Sequence, residues 1–368
     1  MKMVKASDMS EKIVSKIDSN ALKELCANIA AVSRQQKSWT VNDWPEAQLK
    51  LIADAGVYRW FVSEELGGFG WTADDIARGY IELGAACLTS TFIVTQRVAA
   101  LKRIASSANS SLVERVLPEM LDGTKPGTVG ISHLTTSRRH VKQPVLSMQP
   151  AGADMIANGM APWVTGGSGA DSLLLGGVLE GGEEVLFLVP TSPQGISIEP
   201  GFDLVALSAS HTGVVKCDNV RVSPEMIVAG PKESVLSSGK GGGAGSVQTS
   251  ALALGLAKSA IDFIERESEK RPDLRSSCDS LQQQFDLIAE ETFAVAAGEK
   301  EHTGELRADA NSLVMRSTQA AMIAAKGAGF VDGHPVGRWC CEALFFLVWS
   351  CPQSVAEANL CGLVDVGS

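Results

Sequence analysis

The stretch Asn158-Gly-Met-Ala-Pro-Trp-Val-Thr-Gly-Gly167 decides the reading of this chain, because it sets a Trp and a Thr between glycine turns inside a strand-rich block. Val164-Thr165 favours a strand, Gly166-Gly167 lets backbone approach closely, and the Thr165 hydroxyl stands beside the Trp163 ring. Two readings follow. In one, the indole stacks on a flat ligand, which suits an extended aromatic cofactor better than a phosphate cradle. In the other, the stretch is a β-turn followed by a core tryptophan.

Outward from this stretch, residues 127–230 carry short β-branched runs separated by Gly, Asp and Pro. They are Met155-Ile-Ala, Ser172-Leu-Leu-Leu, Glu184-Val-Leu-Phe-Leu-Val, Ile196-Ser-Ile, Gly213-Val-Val-Lys-Cys and Val220-Arg-Val. That pattern predicts a compact β domain. On the N-terminal side the apolar spacing is helical. Ile13, Ile17, Leu22, Leu25, Ile29 and Val32 predict one long amphipathic helix over 10–38, and further helices are predicted over 46–55, 72–87, 91–105 and 110–121. Beyond the β block, Ser237-Ser-Gly-Lys-Gly-Gly-Gly-Ala-Gly-Ser246 reads as a flexible linker by composition, the alternative being a phosphate-binding loop without Walker spacing. Helical spacing then returns over 252–269, 281–297, 305–327 and 343–363, which predicts an antiparallel four-helix bundle. The chain is therefore expected to be α+β in three parts: an N-terminal helical domain over 1–126, a central β-barrel or sandwich over 127–232 and a C-terminal bundle over 233–368.

With 368 residues, more than one core is expected. The charge of −10 argues against a nucleic-acid partner, since phosphate binding needs a basic face. No apolar run reaches membrane-spanning length and the first residues lack an apolar signal core, so no membrane insertion and a cytoplasmic location are expected. The eight cysteines contain no Cys-x-x-Cys pair and read as reduced packing residues, and no metal site is expected. Cys340 and Cys341, as neighbours on one helix, point in different directions.

Three more segments accompany the tryptophan stretch: Val62-Ser-Glu-Glu-Leu-Gly-Gly-Phe-Gly70, Cys217-Asp-Asn-Val-Arg-Val-Ser-Pro224 and Gly327-Ala-Gly-Phe-Val-Asp-Gly-His-Pro-Val-Gly-Arg338. In that order and spacing the sequence resembles the acyl-CoA dehydrogenase family of flavoproteins, from about Trp44 to Leu363. The resemblance implies an FAD held between the β domain and the bundle, and an acyl-CoA or other acyl thioester as substrate. It also implies a homodimer or homotetramer, an electron acceptor that the sequence does not identify, and a carboxylate that removes the α-proton while the β-hydride passes to the flavin. Carried over residue by residue, Trp163, Val164 and Thr165 match the family's Trp-Ile-Thr at the cofactor. Ile131 and Ser132 stand in the run that usually ends Thr-Glu-Pro, with Ser132 replacing the threonine as a hydroxyl donor.

Other positions depart from the family pattern. Arg138 and Arg139 stand near the family's phosphate-binding serine, and either bind phosphate in its place or are solvated surface arginines. Lys326-Gly327 replaces a glycine pair at the adenine contact; Lys326 either pairs with a pyrophosphate or is a solvated helix-end lysine. Phe92 and Gln96 are expected to set the depth of the acyl pocket. The register from Arg338 and Glu342-Ala343 puts Ser350 where the family has its catalytic glutamate, and 345–356 contains no Asp or Glu. Serine alone lacks the basicity to abstract an α-proton. Three functional readings stand: an acyl-CoA dehydrogenase-like FAD oxidoreductase with a base from elsewhere, a flavin-dependent monooxygenase on the same fold that needs no such base, and a non-catalytic homologue with a degenerate flavin site.

Overall fold

The computed structural model describes residues 12–36, 38–135, 145–237, 247–301 and 304–364. The described residues begin with a segment outside any helix, over 12–19. Val14 donates to the Ala55 carbonyl, and the indole N–H groups of Trp60 and Trp71 donate to the carbonyls of Val14 and Ser15 at 2.8 and 2.9 Å. The first helix, α1 (Asn20–Gln35), starts only after Ser19, whose side chain accepts from the Leu22 N–H. The single helix expected over 10–38 is thus corrected: its described N-terminal part gives its backbone groups to two tryptophans, and the rest is α1. The helices α2 (Glu46–Asp54), α3 (Ala73–Ala86), α4 (Leu88–Ala105) and α5 (Ser110–Leu121) follow the expected spans closely. Thr72 and Asn109 cap α3 and α5 by accepting from the N–H groups of Asp75 and Leu112.

Eight strands among the described residues form one sheet. They are β1 (Gly127–Gly130), β2 (Leu146–Ala151), β3 (Asp154–Val164), β4 (Ser172–Leu179), β5 (Glu184–Pro190), β6 (Ile196–Ile198), β7 (Gly213–Val222) and β8 (Ile227–Lys232). The order is β6-β7-β3-β2-β4-β5-β8, with β1 pairing parallel to β4. The two runs expected at 213–217 and 220–222 merge into the single strand β7, which carries Asn219 at φ 54. A one-turn helix, α6 (Ser132–Thr135), leaves β1.

The C-terminal part contains α7 (Val247–Ser268), α8 (Arg275–Ala296), α9 (Gly304–Ala325), α10 (Pro335–Leu344) and α11 (Gln353–Val364). The single helix expected over 343–363 is broken. A 3₁₀ turn over Phe345–Leu347 follows α10, Ser350 turns left-handed at φ 44, and Pro352 supplies no N–H to carry a helix onward. Apolar spacing alone did not report this break, because apolar residues recur on both sides of it, although beyond it only Val355 is buried while Leu360, Leu363 and Val364 are exposed.

Two cores result. One joins the N-terminal helices to the C-terminal ones, and the other fills the sheet with Phe187, Leu173, Leu175 and Val215. The first is continuous because α3 and α7 meet without a side chain between them: a Cβ on Gly255 would lie 2.7 Å from the Ile81 carbonyl oxygen and 3.0 Å from the Gly84 Cα. Along the same seam the Ser259 hydroxyl donates to the Ala85 carbonyl at 2.7 Å and the Gln248 amide to the Tyr80 hydroxyl at 3.0 Å.

Gly255→Val is expected to cost about 1–3 kcal/mol by forcing this seam apart. Gly362→Ala, at a helical position with open space around it, is expected to be neutral or to stabilise by up to about 1 kcal/mol. Denaturant melts of both variants check the pair.

Candidate functional site

The tryptophan stretch ends β3 in an irregularity that decides where its side chains go. The β3–β7 register shifts between Ala161 and Val164, and Trp163 sits in the shift at φ 59. A bulge of this kind re-aims one side chain out of the ladder. The indole is 57% exposed and meets Phe202 edge-on at 5.2 Å, so Trp163 is not a core residue. The residues beside it are. Val164 and Thr165 are buried, and the Thr165 hydroxyl shares a 2.9 Å hydrogen bond with that of Thr212, which is joined in turn to Ser210. The Thr165 carbonyl accepts from the Thr128 hydroxyl at 2.8 Å, and Gly166 donates its N–H to the Ser210 carbonyl. The expectation that Thr165 stands beside the indole is therefore corrected. The bulge turns the indole outward, while the Thr165 side chain, just past the end of β3, enters the hydroxyl network.

Ile131 is buried at the end of β1, and the Ser132 hydroxyl donates to the Pro162 carbonyl at 2.7 Å, directly before Trp163. The structure thus brings Ile131, Ser132, Trp163, Val164 and Thr165 together as one wall of the β domain. Arg138 and Arg139 lie outside the described residues, as does most of the glycine-rich segment 237–246.

On the helical side, Phe92 on α4 is buried edge-on to Phe345 at 4.9 Å and to Trp349 at 5.2 Å, while those two rings stack at 5.1 Å. Gln96, one turn along α4, donates to the Thr95 hydroxyl. Ser350 follows this aromatic cluster. It is half-buried, and among the described residues no His, Lys, Asp or Glu hydrogen-bonds to it. The segment that carries it is held from α9, where Arg307 donates to the carbonyls of Phe346 and Trp349 at 3.2 and 3.3 Å and Asn311 donates to Phe346 at 3.1 Å. Lys326 is exposed at φ 54 just past α9, and Gly327 faces open space.

A cleft of about 940 Å³ opens elsewhere, where the end of α1, the α3–α4 junction, the loop over 204–208, α7 and the segment 329–341 converge. Neither Trp163 nor Ser350 lines it, so this cleft and the motif-bearing wall are different places.

Glu342, which in the sequence marks only a register, is the buried carboxylate among the described residues, close in sequence to the aromatic cluster. It lies 1% exposed on α10, one turn before Phe345. Its Oε1 accepts from the Thr89 hydroxyl at 3.4 Å and stands 3.4 Å from Arg338 Nε, an ionic rather than a hydrogen-bonding arrangement, and Oε2 has no partner. Arg338 also lies over the Trp39 ring at 4.4 Å. Burial raises the Glu342 carboxyl above its ordinary value, while Arg338 and Thr89 pull it back. Its place in the i, i+4 register with Arg338 was visible in the sequence; its burial was not.

A family model described as "Acyl-CoA dehydrogenase, N-terminal domain" matches residues 16–124. Over that N-terminal part the chain matches the acyl-CoA dehydrogenase family. Among curated proteins, a probable acyl-CoA dehydrogenase, YngJ of Bacillus subtilis (strain 168), is 21% identical over 318 residues, covering 80% of this chain and 83% of that protein. Among solved structures, a glutaryl-coenzyme A dehydrogenase in complex with glutaryl-CoA is similar over the whole chain and 98% of its own, at 16% identity and a TM-score of 0.78. The dibenzothiophene monooxygenase TdsC from Paenibacillus sp. A11-2 covers 94% of this chain and 96% of its own at 17% identity and a TM-score of 0.74. The acyl-CoA dehydrogenase fold is therefore shared by proteins named for two kinds of chemistry. No helix among the described residues is long and apolar enough to cross a membrane.

A carboxyl raised in the folded state contributes stability that is fully present below its unfolded value and is lost as pH rises through the folded one. Glu342→Gln keeps the shape without the charge. Its stability relative to the wild type is expected to improve as pH rises above the ordinary glutamate range, read from urea midpoints; a gap independent of pH would contradict the burial account.

Proposed function

We propose that this protein is an acyl-CoA dehydrogenase-like flavoprotein, in which FAD binds against the Trp163 wall and an acyl thioester is oxidised at its α and β carbons. The observation that carries this reading is the bulge that turns a large aromatic ring outward over a floor of buried Ile131 and Val164. The residues present fit a flat ring. Trp163 offers a face for stacking, Ser132 and Thr165 stand in the same wall, and the exposed, left-handed Lys326 with Gly327 offers a cation and an unobstructed backbone to a pyrophosphate. Relatives of the same fold are named as complexes with FADH₂ or FMN. When bound, the flavin supplies the hydride chemistry.

What this chain's own residues would do is alignment more than proton transfer. The Ser132 hydroxyl donates to the Pro162 carbonyl, which fixes it in the wall directly before Trp163. Phe92, Phe345 and Trp349 form an aromatic face, buried at Phe92 and half-buried at the other two, with Gln96 one turn away as a polar neighbour. Ser350 supplies no basic group at the position of the family's glutamate, so α-proton removal is the weak step. Arg138, near the family's phosphate-binding position in sequence, is the residue we assign to a CoA phosphate. Assembly as a homodimer or homotetramer and a location in the cytoplasm belong to the same proposal.

The absence of a carboxylate over 345–356 also favours a second reading, a flavin-dependent monooxygenase, in which no α-proton has to be removed. Anaerobic mixing of the FAD-loaded protein with acyl-CoAs of several lengths separates the two. Dehydrogenation requires bleaching of the flavin band. Ser350→Glu is expected to speed that bleaching by about 10²-fold, the lower end of what a placed general base contributes. A flavin that no acyl-CoA reduces in either protein would contradict dehydrogenation and favour oxygen chemistry.

A further inference from the structure

Arg338 uses its guanidinium differently from Arg97, Arg103 and Arg271. Those three spend N–H groups on the protein: Arg97 donates to the Tyr58 hydroxyl and the Gly169 carbonyl, Arg103 to the Ala99 carbonyl and Arg271 to the Ala324 carbonyl. Among the described residues Arg338 hydrogen-bonds to none, and its Nε is buried without a partner, 3.4 Å from Glu342 Oε1. Its guanidinium carbon lies over the Trp39 ring, 4.4 Å from the centroid. The buried Glu342 thus holds the Nε edge from one turn along α10 and Trp39 covers one face, while the accessible part of the side chain lines the cleft of about 940 Å³. The cleft is aromatic around it. Phe263 of α7 meets His334 edge-on at 5.9 Å and Trp339 edge-on at 6.3 Å, and Phe330, 88% exposed, belongs to the same lining. Two carboxylates also line it, Asp262, paired with Lys258 at 3.2 Å, and Asp332, which accepts from the Gly333 N–H.

We propose that this cleft binds a small aromatic carboxylate, with the carboxylate on the Nη edge of Arg338 and the ring among Trp39, Phe263 and Trp339. A guanidinium edge meets a carboxylate through two parallel N–H···O bonds, and Arg338 has that edge unspent. Glu342 and Trp39 fix the orientation of the fork before a ligand arrives, which lowers the ordering cost of binding. Three aromatic side chains give a flat ring both edges and faces to pack on. Asp262 and Asp332 set the charge of the head group, since they oppose a dianionic phosphate about twice as strongly as a single carboxylate. The volume lies at the upper end of the roughly 300–1,000 Å³ common for small-molecule sites. Neither Trp163 nor Ser350 takes part, and no flavin is required, so the site stands apart from the dehydrogenase reading.

The test is calorimetric titration of the dialysed full chain with indole-3-acetate, with its uncharged counterpart indole-3-acetamide, and with inorganic phosphate. The acid is expected to bind saturably and at least about tenfold more tightly than the amide, the least that a hydrogen bond to a charged group contributes. Arg338→Met is expected to erase that preference. Arg338→Lys keeps a cation beside Glu342 but not the fork, and is expected to weaken the acid while leaving the amide unchanged; it decides the matter if the methionine variant does not fold. FAD at saturation is expected to leave the titration unaltered. Absence of saturable binding by the acid, equal affinity for acid and amide, tighter binding of phosphate, displacement by FAD, or an acid affinity untouched in folded Arg338→Lys would each overturn the proposal.

Discussion

The rest of the molecule depends on the place where α3 and α7 touch backbone to backbone. Gly84 and Gly255 leave no room for a side chain, and that closeness lets Ser259 and Gln248 reach across to Ala85 and Tyr80. The N-terminal helices and the C-terminal helices are therefore one core, with the sheet hung on it through fewer contacts. Ser107 donates to the Val228 carbonyl, Asn109 to that of Ile227, and Arg97 to that of Gly169. A rigid helical frame with a sheet docked against it sets the wall carrying Trp163 and the turn carrying Ser350 without either having to be held by the other.

That division explains the character of the two half-sites. The sheet half is built by a bulge: the ladder shifts at Trp163, the indole leaves the core, and the hydroxyls of Thr165, Thr212 and Ser210 satisfy one another beneath it. The helical half is built by a broken helix, where Ser350 turns left-handed and a buried arginine and asparagine take the freed carbonyls. Buried backbone groups released by a helix break need such partners. The price is a buried guanidinium whose Nε and Nη1 find no hydrogen-bond partner among the described residues.

Much of this was legible in the sequence, for reasons that differ by element. Strong amphipathic spacing with a good cap, as in Thr72 before α3 and Asn109 before α5, fixed those helices to within a residue. The three-part α+β order was legible because the period of the apolar pattern changes at about residue 127. The non-helical start was not, since Ile13, Val14 and Ile17 fit a helical stripe equally well and only the distant Trp60 and Trp71 claim the carbonyls of Val14 and Ser15. The broken last helix was hidden for the same reason, although Pro352 was a warning. At the candidate site, the Trp163 motif was readable while the direction of its ring was not, because a bulge is a property of two paired strands. Glu342 and Arg307 passed unremarked: charge is visible in a sequence, but burial of a charge is not.

The account's central claim is that the outward Trp163 wall is where a flavin is held, and the most direct measurement is a spectroscopic titration of the dialysed protein with FAD. It predicts a shifted, saturating flavin band, with the affinity weakened in Trp163→Ala by about 0.5–1.5 kcal/mol, the worth of an aromatic stacking contact. A spectrum that stays that of free FAD at every protein concentration, or saturation untouched by loss of the indole, would contradict it.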